Sequence, residues 1–406
     1  MTLPPVRPIV LGGDIGAYAT ARTFHERYGV RSVVLAGVAT GPVRDSVAVD
    51  LRITDGLDEP AGMLAALRAV VAEQPGAQHL VLASADWRLA TLLEVREELE
   101  AGPGHVLVPY ASREIVTRVG DKAALAHACA ELGVATPATL VVEPGSAPAA
   151  ADLPADFPLI VKPASTAAAH EVSYPGQAKV HTVHDLAALH DLLARMGAAG
   201  MTGQVCVQER VPGADDAMAA VNVFLDPDGA VRFAQLGRVL LEEHTPTALG
   251  NSVAQVTVPG SHPGVEQVLE DVIRVLRHLG MTGFANVDLK RDAEGTYRVL
   301  EVNPRVGRSG YAVTASGYDI AEMYVNAYLE KVPAQRITGE HEHLFTVVPL
   351  AVLHRYAPDS AALVRRLRRA GAVTNPLYYR AERHPRRWAW IAVAMVNQAR
   401  KFARHS

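Results

Sequence analysis

Thiol chemistry has little material here: Cys129 and Cys206 are the only cysteines, far apart and without a CxxC or Cys/His ligand spacing. Neither a disulfide framework nor a zinc site is expected, and a reducing compartment is the simpler reading. Aromatic residues make up only 5% of the chain while about half of it is apolar, which describes an Ala/Val/Leu-rich globular protein rather than a disordered one. Long hydrophobic runs are also missing. Pro8 to Leu11 ends in glycines and lacks the charged lead of a signal peptide, and Trp388 to Val396 falls far short of the roughly 20 residues of a spanning helix. A formal net charge of −4 excludes the strongly basic class that lives on nucleic acid. No GxxxxGK(S/T) segment occurs, so a bound nucleotide is not held by a P-loop.

At 406 residues the chain exceeds what one core usually serves, so two or three packed units are expected. Pro8 to Leu11, Gly12-Gly13-Asp14-Ile15-Gly16 and Ala17 to Tyr28 read as strand, turn and helix. Ser32–Leu35, Val47–Val49, His79–Ala83 and His105–Val108 continue as strands, with helices over Ala61–Ala72 and Leu89–Leu99. Such alternation predicts a parallel sheet wrapped by helices. The glycine turn is not GxGxxG, and Asp14 puts a negative charge where a pyrophosphate would sit, so it is read as a packing turn or part of a substrate pocket. A dinucleotide-dependent oxidoreductase would also need an acid after the second strand, where Leu35-Ala-Gly-Val offers none.

The texture changes at Val119. A helix from Gly120-Asp121-Lys122 to Leu132 precedes a Pro/Ala-rich passage through Pro154, and the β-rich runs Pro158–Lys162, Lys179–Val183, Val205–Val211 and Ala219–Leu225 follow, with one helix over Val183–Met196. Further strands over Val231–Leu241 and Val253–Val258, a helix over Gly264–Leu279, a hairpin of Phe284–Lys290 with Tyr297–Val302, and a helix over Asp319–Leu329 complete an α+β region.

The hairpin carries the chemistry. With a strand period of two, Glu301 and Asn303 project from one face, and Asp288 on the paired strand can meet them there. Three hard oxygen donors with open positions suit Mg²⁺, which binds nucleotide phosphates through one or two carboxylates. Arg305, two residues further on, is expected on the same face toward phosphoryl oxygens. An edge hairpin with solvated acids is the bland alternative, which the following Pro-Arg makes the poorer one. Lys122 at a helix start and Lys162 in Leu-Ile-Val-Lys-Pro sit where a point charge can meet phosphate. Val207-Gln-Glu-Arg-Val-Pro-Gly213, with Asp215 and Asp216 behind it, can offer backbone groups to a base and an acid to ribose hydroxyls.

Taken in order, Asp121-Lys122, Val161-Lys162-Pro163, Gln208 to Gly213, Asp288 and Glu301-Val302-Asn303-Pro304-Arg305 resemble the ATP-grasp carboxylate–amine ligases over about residues 8 to 330. KPASTAAAHEVSYPGQAKV and EVNPRVGRSGYAVTASGYDIA look most like the branch containing the D-aspartate ligases of peptidoglycan synthesis. The resemblance implies a fold of mixed α/β and α+β class in ATP-grasp architecture. Its units are a Rossmann-like pre-ATP-grasp domain over 1–118, a small lid subdomain over 119–212, a large subdomain with the metal site over 213–335, and a basic C-terminal extension over 336–406. It makes Lys122 and Lys162 phosphate ligands, with Lys179 as a further contact. Gln208, Glu209 and Val211 become the adenine hinge, and Asp215 or Asp216 the ribose acceptor. Asp288, Glu301 and Asn303 become ligands of Mg²⁺ or Mn²⁺, and Arg305, with Arg238 by a looser match, would steady the transferred phosphoryl group. One departure stands out: Ala164 to Glu171, where the family has a glycine-rich phosphate loop, contains no glycine. His170 in that loop is either a contact or a solvated side chain.

The implied reaction activates a carboxylate with ATP as an acyl phosphate, which an amine then attacks. Arg308 is placed either against the substrate carboxylate or in a surface salt bridge. The expected partners are a small-molecule carboxylate and an amine and no nucleic acid, with a homodimer compatible; a non-catalytic ATP-binding protein is the rival reading. Arginines recur from Arg355 to Arg404 with only Asp359 and Glu382 opposing them. Two readings fit that tail equally: an interfacial helix touching an anionic membrane from the cytoplasmic side, or a helix packing its apolar side on the body.

Overall fold

The computed structural model describes residues 5–165, 172–178, 180–245 and 250–405. Among these the strands form three sheets. The first holds β1 (Val6–Leu11), β2 (Ser32–Ala36), β3 (Val49–Ile53), β4 (Gln78–Ala83) and β5 (His105–Leu107) in the order β3-β2-β1-β4-β5, with every pairing parallel. Helices α1 (Ile15–Tyr28), α2 (Pro60–Glu73) and α3 (Asp86–Glu100) connect them. Ile9, Leu11, Val33, Leu35, Leu80 and Leu82 are buried, as near-continuous apolar strands covered on both faces must be. Strand β3 runs later than the Val47–Val49 expectation because it is an edge strand whose Asp50 and Arg52 stay partly exposed, leaving no apolar run to mark it.

The second sheet has four strands in the order β6-β9-β7-β8: β6 (Thr139–Val142), β7 (Leu159–Pro163), β8 (His181–Val183) and β9 (Val205–Glu209). The helix Leu186–Ala198 packs Leu189, Leu192, Leu193 and Met196 onto Leu159, Val161 and Val205. It starts later than Val183 because Val183 belongs to a strand and Asp185 caps the helix, accepting from the Ala188 amide at 2.8 Å.

The third sheet is the largest: β14-β13-β10-β11-β12-β16-β17, with β15 also paired to β11. Its strands are β10 (Met218–Leu225), β11 (Val231–Glu242), β12 (Ser252–Val258), β13 (Gly283–Arg291), β14 (Tyr297–Asn303), β15 (Ile337–Thr338), β16 (Leu344–Thr346) and β17 (Val373–Thr374). The helix Val265–His278 lays Leu269, Val272, Ile273 and Leu276 on one face of it, against Val221, Val287 and Val299. Helices α4 (Arg113–Gly120) and α5 (Lys122–Leu132) pack on the same core through Val119, Leu125 and Cys129. On packing, therefore, α5 goes with the large sheet although it lies in the 119–212 stretch, and the core of the small sheet begins beyond it.

The C-terminal stretch from 336 to 405 is built into the body. β15 and β16 extend the large sheet, and the C-terminal helix Pro385–His405 buries Ile391, Met395 and Phe402 in a cluster shared with Val10, Tyr18 and Val34 of the N-terminal unit and with Leu240 and Val253 of the large sheet. Positions 391, 395 and 402 share one stripe of the helix, so the apolar side that an interfacial reading requires is already covered, while Val393 and Val396 on the opposite side are exposed. Arg387 is buried rather than solvated. No helix among the described residues is long and apolar enough to cross a membrane.

Candidate functional site

Antiparallel pairing of β13 with β14 sets Asp288 directly opposite Glu301 and Asn286 opposite Asn303. Directly opposed residues share a sheet face, so all four side chains leave the same side. The Asn303 amide donates to Asp288 Oδ2 at 3.2 Å and lies 3.4 Å from Asn286 Oδ1. Asn286 in turn donates to Asn222 Oδ1 on β10 at 3.3 Å. The expected trio is thus brought together at one end of a row of amides that crosses the sheet.

Both lysines arrive at this face. Asp121 caps α5 by accepting from the Ala124 amide at 2.8 Å, and the Lys122 amide donates to Ala164 O at 3.1 Å, so the helix start is fastened to the end of β7. Lys122 is buried, with Nζ 3.1 Å from Glu301 Oε1. Lys162, also buried, points across from β7, Nζ 3.5 Å from Leu300 O. Two carboxylates, an amide and two ammonium groups are thus gathered on one face, an arrangement that can meet both a divalent cation and the phosphates it carries. The donors gathered here are two carboxylates and an amide, hard oxygen ligands that suit Mg²⁺ rather than zinc. Turning the Asn303 amide over would present its oxygen to such an ion.

The hinge segment follows β9. Gln208 is buried and donates to Thr139 Oγ1 at 2.8 Å. Glu209 holds Arg298 of β14 at 2.8 Å, and Arg298 also reaches Asp292 at 2.8 Å, so the hinge is tied to the metal-type hairpin. Val211 is buried just past the strand. Of the two candidate acids, Asp215 has its Oδ2 engaged by the Glu242 amide and by His244, each at 2.9 Å, while Asp216 is exposed. Nearby, burial and the Arg210 guanidinium lower the Lys290 ammonium below the usual lysine value. Lys179 and His170 lie outside the described residues.

Three arginines meet different fates. Arg305 does not continue the period of β14, because the strand ends at Asn303 and the Arg305 amide turns back onto Asn303 O at 2.8 Å. Its guanidinium instead forms a two-pronged pair with Asp86 of α3, at 2.8 and 2.7 Å, joining the large sheet to the N-terminal unit. Burial opposes the charged guanidinium, but Asp86 more than compensates and raises its pKa. Arg238 is opposite Ala219, whereas Asp288 is opposite Ala220, so Arg238 starts from the other face of the sheet and is not gathered with the trio. Arg308 is exposed at the rim of a cavity of about 500 Å³ whose wall includes Gly12, Gly13 and Asp14. It is brought there by a turn that crosses Asn286: a Cβ on Gly307 would lie 2.6 Å from the Asn286 Cγ, so only glycine fits.

Sequence reading missed Asn222, Asn286, Asp86 and the Arg298 link. A lone amide inside each of two apolar strands, MAAVNVFL and GFANVDLKR, was the available signal for the first two. Nothing local pointed to Asp86, which is 219 positions from its partner.

Residues 260–330 match the family model described as "Carbamoyl-phosphate synthase L chain, ATP binding domain". The chain is 26% identical to a D-aspartate ligase of Enterococcus faecium, over 98% of its own length and 96% of the relative's. It is 27% identical to a D-alanine--D-alanine ligase of Pseudomonas putida, over 55% of its own length and 69% of that relative's. Among solved structures, an L-amino acid ligase from Bacillus licheniformis matches with a TM-score of 0.55 at 18% identity, covering 80% of this chain and 75% of that one. The ADP complex of N5-carboxyaminoimidazole synthetase from Staphylococcus aureus matches with a TM-score of 0.60 at 14% identity, covering 89% and 87%. Identities this low between structures speak for a shared fold.

Proposed function

We infer that this chain, which belongs to the ATP-grasp ligases, uses ATP to join a carboxylate to an amine through an acyl phosphate. The observation that carries the reading is the convergence of Asp288, Glu301 and Asn303 on one sheet face, with the Lys122 ammonium 3.1 Å from Glu301. These three side chains would hold Mg²⁺ or Mn²⁺, which when bound offsets charge on the nucleotide phosphates. Lys122 and Lys162 bind the phosphates as point charges. The segment from Gln208 through Val211 receives the adenine, and Asp216, whose carboxylate is exposed, takes the ribose in preference to the occupied Asp215.

In the first step a carboxylate oxygen of the acid attacks the γ-phosphorus, and the bond from that phosphorus to the bridging oxygen of ADP breaks. Arg305, held at a fixed angle by Asp86, is positioned where the N-terminal unit meets the ATP face, and Arg308 at the cavity rim pairs with the substrate carboxylate. In the second step the amine nitrogen attacks the acyl carbon, the C–O bond to phosphate breaks, and the nitrogen loses a proton. Walls that keep water out protect the acyl phosphate, so binding and orientation supply most of the rate and no protein nucleophile is required.

For the substrates, the likeness along nearly the whole chain to the Enterococcus faecium enzyme supports D-aspartate as the acid and a peptidoglycan precursor in the cytoplasm as the amine. Amino-acid or dipeptide ligation is the second reading, favoured by the fold shared with the L-amino acid ligase. The deciding experiment is amine-dependent ADP release over D- and L-amino acids, with precursor peptides and free amino acids as acceptors. Release with D-aspartate and a precursor peptide supports the first reading; release only with pairs of free amino acids supports the second; no release with any pair rejects both.

A further inference from the structure

The cavity beside the glycine turn lies at the C-terminal ends of β1 and β4, where the strand order of the parallel sheet changes direction, the usual place for a ligand crevice in such sheets. Its volume, about 500 Å³, is that of a small-molecule site. The segments after those strands furnish Gly13, Asp14 and Arg88, the turn after β14 furnishes Arg308, and the C-terminal helix adds Trp390, Met395 and Gln398 to the wall. That wall is fixed in place. Arg387, one turn before Trp390, donates to Pro42 O at 2.9 Å and Arg44 O at 2.8 Å. Gly41 packs so tightly on the indole that a Cβ there would lie 1.8 Å from Trp390 Cε2.

The polar groups of the cavity are of two kinds. Asp14 caps α1 with Oδ1, at 2.9 Å from the Ala17 amide, and its carboxylate is part of the cavity lining together with Arg308. Gln398 has an amide oxygen that is buried with no hydrogen-bond partner among the described residues. These are acceptors for an ammonium group. Arg88, tethered to Asp58 at 2.8 Å, and Arg308 are donors for carboxylates. Acceptors and guanidinium groups around one space, with an otherwise mostly apolar lining, match an α-amino acid, whose ammonium and carboxylate are adjacent.

We propose that the C-terminal helix is a wall of the acid-binding pocket, and that Trp390 and Gln398 determine which α-amino acid is accepted there. The proposal rests on the ligase reading for the pocket's use, but the pocket itself is testable by binding alone. Two of the three tryptophans, Trp87 and Trp390, line the cavity and Trp388 does not, so intrinsic fluorescence reports on its contents.

The test titrates the full-length protein with D-aspartate, L-aspartate and D-alanine, and repeats it on Trp390→Phe and Gln398→Leu. A saturable fluorescence change that shrinks in Trp390→Phe is expected. Gln398→Leu is expected to raise KM for the amino acid about ten-fold, the effect of leaving one polar group of a substrate unpaired, with KM for ATP changed less than about two-fold. A helix that served only to hold the fold together would move the melting temperature, or both KM values in parallel, and that pattern overturns the proposal. So does the absence of a fluorescence change with all three acids. If the wild type binds an amino acid but releases no ADP with any acceptor, the ligase reading fails while the pocket stands.

Discussion

Two polar clusters in this protein, one fully buried and one half-buried, are put together differently. At the C-terminal clamp, Glu382 and Arg387 are both fully buried and 3.0 Å apart, and each oxygen of Glu382 is taken: Oε1 by Ser46 at 2.6 Å and by Tyr18 at 3.3 Å, Oε2 by the Val47 amide at 2.9 Å. Arg387 adds the Tyr18 ring, 4.3 Å from the guanidinium carbon, and two backbone carbonyls. At the hairpin, Asp288 and Glu301 face each other with the Lys122 ammonium at Glu301, the Asn303 amide at Asp288 and the Lys162 ammonium reaching the same strand at Leu300 O. Both oxygens of Glu382 are taken up by the protein itself, although Arg387 Nη2 has no hydrogen-bond partner among the described residues, and such a cluster holds structure together; the hairpin gathers hard oxygens and ammonium groups of the kind a metal–nucleotide uses. Burial separates them as well: Glu382 and Arg387 are fully buried, whereas Asp288, Glu301 and Asn303 are half-buried.

The contrast is testable from its strongest consequence downward. Glu382→Ala should cost about 3–5 kcal/mol of unfolding free energy, since it leaves the buried Arg387 guanidinium without its carboxylate and the half-buried Val47 amide without its acceptor. A loss below about 1 kcal/mol in denaturant titrations would mean that the clamp is not closed as described. Asp288→Ala and Glu301→Ala should do the reverse. Amine-dependent ADP release should fall about 10²–10³-fold, the scale of removing one preorganised electrostatic group from an active site. The unfolding free energy of Asp288→Ala should stay within about 1 kcal/mol of the parent, while Glu301→Ala, which takes the carboxylate from buried Lys122, should cost more than that but less than the clamp variant. Equal losses of stability in the clamp and hairpin variants would erase the distinction.

Arg305→Lys tests the junction between the two units. The two-pronged pair with Asp86 becomes a single point contact, so kcat should fall about ten-fold, equivalent to about 1.4 kcal/mol, with KM for ATP little changed. An unaltered kcat would assign Arg305 to domain packing alone. The smallest effect concerns the thiols. Burial pushes Cys129 up to about 12 and Cys206 up to about 11, so at pH 8 both remain protonated and should ignore a thiol reagent until the protein is unfolded. A native thiol that reacts within seconds would show that β9, which carries Cys206 beside Lys162, opens in solution.

Local pattern made a good part of this legible. The apolar runs closed by glycines gave the parallel unit, and the period-two spacing of Glu301 and Asn303 opposite Asp288 gave the oxygen trio, because a hairpin pairs residues that are close in sequence. The same rule failed at Arg305, where the chain leaves the strand, and at Arg238, whose face depends on pairing with a strand that follows no short turn rule. β3 was placed too early although Val-Asp-Leu-Arg-Ile alternates with a strand's period, and β6 was missed because its four residues sit inside a Pro/Ala-rich stretch that reads as a junction. The tail left two equal readings because the charge of its arginines does not say which of them is buried.

The sequence by itself determined the elements, the hairpin and the chemical type of its ligands, since strand periodicity and side-chain chemistry act over a few residues. Only the tertiary structure decided that Asp86 restrains Arg305, that the glycine turn opens on a cavity, and that the C-terminal helix closes it. Those contacts join segments more than 200 positions apart, and which of many chemically suitable partners meet over such distances is set by how whole sheets and helices pack, not by any local pattern.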